Sequence, residues 1–102
     1  MKEVSVHEVP DNAQLIDVRE PDEHAIDHAA SAQLLPMSEL TERINEIDGA
    51  RDIYVICKSG GRSARVTEYL EQAQGWNAIN VAGGTDAWRE ANLPMLRPGS
   101  ES

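Results

Sequence analysis

The sequence predicts an α/β fold, with a mainly parallel five-stranded sheet flanked by helices on both faces. Three observations carry this expectation. Short apolar runs alternate with amphipathic stretches along the chain, the pattern of repeated strand and helix. Two of those runs, at 14–18 and 53–56, are close to continuously apolar, as strands covered on both faces are. The chain has 102 residues, 40% of them apolar, enough for one modest core. A single domain over 1–102 is therefore expected, with its core over about 4–96 and a polar, frayed tail over 97–102.

Taken in order, 4–6 and 14–18 are expected strands. Glu20-Pro21 then begins a short helix, with Pro near the first position, where its missing N–H costs nothing. Residues 33–35 form a third strand. Ser38 is placed to cap a helix whose inward stripe is Leu40, Ile44 and Ile47, and Asp48-Gly49 ends it. Ile53-Tyr54-Val55-Ile56 is β-branched or aromatic throughout, which suits a buried central strand. Val66, Tyr69, Leu70 and Ala73 recur at helical spacing, with a stop at Gly75. Residues 78–81 form the fifth strand. Gly83-Gly84 turns the chain, Thr85 or Asp86 caps a last helix through Trp88, and Leu93-Pro94 closes the domain. Trp76 and Trp88 are expected to be core or helix-packing residues and not substrate platforms.

The formal net charge of −9 argues against a nucleic-acid or anionic-membrane surface, since phosphate binding needs clustered Lys and Arg. No run approaches the roughly 18 apolar residues of a membrane span. The first residues lack the apolar run of a signal peptide, so a cytoplasmic location is expected. One cysteine cannot form a disulfide within the chain, which suits a reducing compartment. Against this acidic background Lys58, Arg62 and Arg65 cluster beside that cysteine, with no acid between Cys57 and Thr67.

Cys57 stands directly after the 53–56 strand, and ligands of open α/β sheets bind beyond the carboxyl ends of strands. Gly60 and Gly61 permit positive φ, so that successive backbone N–H groups turn inward, and a helix starting near Arg62 adds its positive end. Such a loop lowers the pKa of a thiol and generates the thiolate nucleophile without an adjacent histidine. Lys58, a flexible point charge, suits steering of an anionic substrate, whereas the planar fork of Arg62 suits bracing of the loop. Asp17 would lie at the carboxyl end of a neighbouring strand, where it could pair with Arg62 or accept loop N–H bonds. Arg19 could hold Glu23 or another nearby acid.

The segment Cys57-Lys58-Ser59-Gly60-Gly61-Arg62-Ser63 resembles the active-site loop of rhodanese-like sulfurtransferases. Leu15-Ile16-Asp17-Val18-Arg19-Glu20, with Glu23 and His28, resembles the family's first motif; Gly83-Gly84-Thr85-Asp86-Ala87-Trp88 with Leu93-Pro94 resembles its closing one. The resemblance implies a rhodanese-like fold and a two-step sulfur transfer through a Cys57 persulfide, with Lys58, Ser59, Gly60, Gly61, Arg62 and Ser63 as the anion-binding loop. It implies a small sulfur-containing anion such as thiosulfate as donor, and cyanide or a thiol as acceptor. A protein sulfur donor or acceptor fits equally well, and no cofactor or metal is implied.

The chain departs from the family where Gly-His-Ile-Pro-Gly-Ala is usual and Asp27-His28-Ala29-Ala30-Ser31-Ala32 stands, and where Asn92 replaces the usual Gly before Leu93-Pro94. Asn is well able to replace Gly at positive φ. His24 and His28 are four apart, but no third ligand is placed by the sequence, and a hydrogen-bonded structural role for His28 is expected. Two other functions compete. Cysteine phosphatases and arsenate reductases also hold a thiolate in a loop ending in Arg, but generally with five intervening residues, against the four here. A non-turnover sulfur relay or binding module on the same scaffold would have the same sequence pattern.

Overall fold

The computed structural model describes residues 1–98. In chain order its main elements are β1 (Lys2–Val4), β2 (Gln14–Asp17), α1 (Pro21–Ile26), β3 (His28–Ala29), β4 (Gln33–Leu34), β5 (Ile53–Ile56), α2 (Gly61–Tyr69), β6 (Ala78–Val81), α3 (Gly84–Glu90) and β7 (Met95–Leu96). Five of the strands form a parallel sheet in the order β1-β6-β5-β2-β4, which bears out the expected α/β architecture. From β2 the chain moves outward to β4, and from β5 it moves the other way to β6. The crevice beyond the carboxyl ends of β2 and β5 is therefore the switch point where α/β sheets bind ligands.

Side chains alternate across the sheet with period two, and this sorts the core into two layers. Ile16, Val18, Ile53, Val55 and Cys57 pack with Val66 and Leu70 of α2. Leu15, Ile56 and Val81 pack on the other face with Trp88 of α3 and with Val6. Cys57 thus faces the α2 layer, while Ile56 and its register partner Asp17 face the opposite one.

Several expected boundaries move. The first strand is Lys2–Val4, not 4–6; Val6 instead opens a 3-10 turn, stabilised by the Ser5 N–H donating to the Glu8 carboxylate at 2.8 Å. The expected helix after Ser38 is replaced by two 3-10 turns, Met37–Glu39 and Ile44–Glu46. The Ser38 hydroxyl donates to the Glu20 carboxylate and does not cap the segment, while Leu40 and Ile47 are still buried and Ile44 packs against them. Helical spacing there served burial of a compact connection. Of the expected stripe, Val66 and Leu70 are buried but Tyr69 and Ala73 are exposed, and α2 continues into a π turn over Leu70–Gln74. Gly75 terminates it at φ 70, as expected. A two-stranded antiparallel pair of β3 and β7 was not foreseen; it runs through the segment that departs from the family pattern, with Ala30 N–H donating to the Pro94 carbonyl. Asn92 has φ 57, the conformation expected of a residue standing in for glycine. Of the expected tail, residues 99–102 lie outside the described residues.

The α3 N-terminus also differs. Neither Thr85 nor Asp86 caps it: Gly83 is the N-cap and the helix starts at Gly84. The Thr85 and Asp86 N–H groups donate instead to the carbonyls of Cys57 and Lys58, at 2.8 and 3.0 Å. The Thr85 hydroxyl adds a second bond to the Cys57 carbonyl at 2.9 Å. Gly84 has φ 58, and a Cβ there would lie 2.6 Å from the Cys57 carbonyl oxygen and 2.5 Å from that of Lys58. Only glycine permits this approach. Gly61, by contrast, has open space where a Cβ would stand. Gly84→Ala is therefore expected to cost about 2 kcal/mol or more, while Gly61→Ala stays within about 0.5 kcal/mol. Denaturant unfolding of the two variants checks the contrast, and equal destabilisation would contradict the clamp.

Candidate active site

The end of β5 and the start of α2 fix the loop that carries Cys57. The side chain is a free thiol, 1% exposed, in the α2 layer. Gly60, at φ 111, is the N-cap of α2, a left-handed conformation that turns its N–H onto Cys57 Sγ at 3.1 Å. The expected positive φ at Gly61 is not adopted, since that residue already belongs to the helix. Ser63, in the first turn, places its hydroxyl 3.3 Å from Sγ. Burial is the largest single influence on the thiol and pushes its pKa up. The hydroxyl and N–H of Ser63, with the N–H groups of Gly60 and Ser59, together outweigh burial and hold Cys57 below the ordinary thiol value. The α3 clamp turns the Cys57 and Lys58 carbonyls away and leaves the loop N–H groups facing sulfur.

The charged residues are arranged differently from expectation. Arg62 does not meet Asp17; it grips Glu23 of α1 through two bonds of 2.7 and 2.9 Å. That guanidinium holds the Glu23 carboxyl down at about 2. Asp17 is excluded from the loop by strand alternation, which points it to the layer opposite Cys57. There it accepts from the Arg19 guanidinium at 2.9 Å and from His24 Nδ1–H at 2.8 Å. Arg19 does not hold Glu23 but does hold another nearby acid, as the alternative expectation had it: it bonds the Asp17 carboxylate, and also the Asp27 carbonyl at 2.6 Å. His28 Nδ1–H donates to the His24 carbonyl at 2.8 Å, and the two imidazoles stack with centroids 3.6 Å apart.

Lys58 is 62% exposed at its side chain, and its ammonium lies 3.0 Å from Asp86 of α3. Asp86 also accepts from Arg89, which in turn grips Asp27 at 2.7 and 2.9 Å. Alternating charges thus run from Asp17 through Arg19, Asp27, Arg89 and Asp86 to Lys58. Glu23 and Asp86 are the loop-facing residues whose partners sequence reasoning missed. Nothing in their spacing specifies pairing with Arg62 and Lys58, which are 39 and 28 positions away. Asn80 was also missed, although an amide inside the apolar run Ala78-Ile79-Asn80-Val81 was a visible signal. A cavity of about 400 Å³ is lined by residues that include Val6, Val9, Trp88 and Leu93 and by no residue of the Cys57 loop.

Chemically, the loop offers a buried sulfur with backbone and hydroxyl donors converging on it, able to stabilise negative charge there. Residues 5–91 match the model of the rhodanese-like domain. A sulfurtransferase of Allochromatium vinosum is 37% identical over 84 residues, covering 82% of this chain and 78% of that protein. Among solved structures, a rhodanese-related protein of Thermoplasma volcanium superposes with a TM-score of 0.86 at 31% identity, covering 94% of this chain and 98% of that one. A rhodanese-like domain protein of Staphylococcus aureus gives 0.75 at 34% identity, with 86% and 91% covered. A strand-end cysteine in a donor-lined loop, on this sheet order and with these relatives, identifies the chain as a member of the rhodanese-like domain family of sulfurtransferases.

Proposed function

We propose that the chain transfers sulfane sulfur through a persulfide on Cys57. The observation that carries this reading is the convergence of the Gly60 N–H and the Ser63 hydroxyl on Sγ. In the first step the Cys57 thiolate attacks the outer sulfur of a donor such as thiosulfate. A new S–S bond forms, the donor's S–S bond breaks, and sulfite leaves with the electron pair. A thiol, as its thiolate, or cyanide then attacks the outer sulfur of the persulfide, and Cys57 departs as thiolate. Loop donors stabilise the charge on sulfur before the first attack and after the second.

The engagement of Arg62 by Glu23 weighs against phosphatase chemistry, in which the loop arginine must be free to hold a tetrahedral oxyanion. Pairing of Lys58 with Asp86 and of Arg62 with Glu23 favours a second reading, in which sulfur arrives on a protein persulfide and the loop has little need to attract a free anion. We read the chain as one rhodanese-like unit acting in the cytoplasm, where its single thiol stays reduced.

After incubation with thiosulfate, mass spectrometry is expected to find one added sulfur on Cys57, with thiocyanate formed from cyanide; Cys57→Ser should reduce both to background. No added sulfur from either thiosulfate or a persulfide donor would refute the proposal, and loading from the persulfide alone would select the relay reading. The pH dependence has a definite sign. Because the folded thiol ionises below its ordinary value, its reaction with thiosulfate should rise with pH and level off at a midpoint below that of the urea-unfolded chain. Ser63→Ala, which removes a thiolate donor, should move that midpoint upward; an unchanged midpoint would show that the hydroxyl does not serve the sulfur.

A further inference from the structure

Asn80 lies in the middle of β6 and is 1% exposed. Burying an amide there costs free energy unless its polar atoms are bonded. Its Nδ2 donates to the carboxylate of Glu3, its register partner on β1, at 2.8 Å, and lies 3.4 Å from the Gly60 carbonyl. Its Oδ1 accepts from the Ser63 hydroxyl at 2.5 Å. A carboxylate and a carbonyl only accept, so the amide nitrogen must face Glu3 and Gly60 and the amide oxygen must face Ser63.

Ser63 has one hydroxyl proton, and three acceptors are in reach: Asn80 Oδ1 at 2.5 Å, Cys57 Sγ at 3.3 Å and the Gly60 carbonyl at 3.3 Å. The shortest contact is to Asn80. While the proton points there, Ser63 Oγ presents a lone pair to sulfur and accepts from the neutral thiol. When Cys57 ionises, its proton leaves to solvent. The Ser63 hydroxyl then supports the thiolate, beside the backbone N–H of the same residue, only by turning its proton from Oδ1 to Sγ, which strips a buried oxygen of its donor. Three charged groups near this chain of bonds are paired: Arg62 with Glu23 of α1, Asp17 of β2 with Arg19, and Lys58 with Asp86 of α3; Arg65 and Glu68 of α2 and Lys2 of β1 are the other charged residues on the elements that carry Ser63 and Glu3.

We propose that Glu3 and Asn80 are positioning residues that set the ionisation of Cys57 by competing with its sulfur for the Ser63 proton. The arrangement matches a sulfur whose charge alternates. Sγ is anionic before attack and on departure, when it accepts the Ser63 O–H hydrogen bond, and neutral as the inner atom of a persulfide, when Asn80 accepts it. That last consequence rests on the sulfur-transfer reading; control of ionisation does not.

The test is a titration of thiolate absorbance in the parent protein, Glu3→Gln, Ser63→Ala and the double variant, without any sulfur donor. Glu3 is exposed, so Glu3→Gln is expected to fold. A neutral Gln accepts from Asn80 Nδ2 more weakly than a carboxylate does, which reduces the polarisation of the amide and loosens the hold of Oδ1 on the Ser63 proton in favour of sulfur. The thiolate fraction at a fixed pH below the midpoint should rise about threefold. With Ser63→Ala in place, Glu3→Gln should change nothing. Asn80→Ala, which removes the competing acceptor, should act in the same direction as Glu3→Gln. No rise in Glu3→Gln would overturn the proposal, as would an equal rise in the Ser63→Ala background, which would signal a through-space charge effect. Because no donor is present, either failure leaves the thiosulfate experiment to be judged by itself.

Discussion

The N-terminus of α3 pressed against the Cys57 loop is the contact on which the site depends. A parallel strand that ends at Ile56 leaves the next two carbonyls without ladder partners, and the first turn of a helix leaves N–H groups without acceptors. Each deficit satisfies the other: Thr85 and Asp86 donate to the carbonyls of Cys57 and Lys58. The backbones approach so closely that a side chain at Gly84 has no room. With its carbonyls drawn toward α3, the loop has its N–H groups left to face sulfur, and Gly60 completes the turn. The two motifs that stand 26 residues apart in sequence, at Cys57 and Gly83, are thus halves of one structure.

Electrostatics around this loop are more balanced than a cluster of basic residues suggests. Arg62 is engaged by Glu23 and Lys58 by Asp86. Both pairs are partly solvent-exposed and individually contribute little to stability. Their value is geometric: the Arg62–Glu23 fork ties the start of α2 to α1, and the chain of charges through Asp27 and Arg89 ties α3 to the end of β2. Negative charge on Cys57 is therefore carried mainly by hydrogen bonds from the loop and Ser63, donors whose strength depends on exclusion of water.

Much of this was legible in the chain itself. Ile53-Tyr54-Val55-Ile56 declared a central strand through composition, and Cys57 followed it directly, so the position of the sulfur at a strand end needed no tertiary information. Gly60 and Gly75 were readable as left-handed positions because backbone conformation is a local property. The segment with Leu40, Ile44 and Ile47 misled, since helical spacing also suits successive 3-10 turns when a connection must stay short and still bury every third or fourth residue. Residues 28–29 and 95–96 gave no strand signal, being two-residue pieces that exist only by pairing with each other.

Local sequence determined the sheet's central strands, the loop, the strand-end position of Cys57 and the four-residue spacing to Arg62, because each follows from propensity or covalent order within a few positions. Tertiary structure alone decided which acids meet Arg62 and Lys58. Asp17 stands on the strand beside Cys57 yet faces the opposite layer, because strand side chains alternate and Asp17 is in register with Ile56, not with Cys57. It decided equally that Asn80 meets Ser63 and Glu3, three residues from three elements whose proximity arises only when β1, β6 and α2 come together.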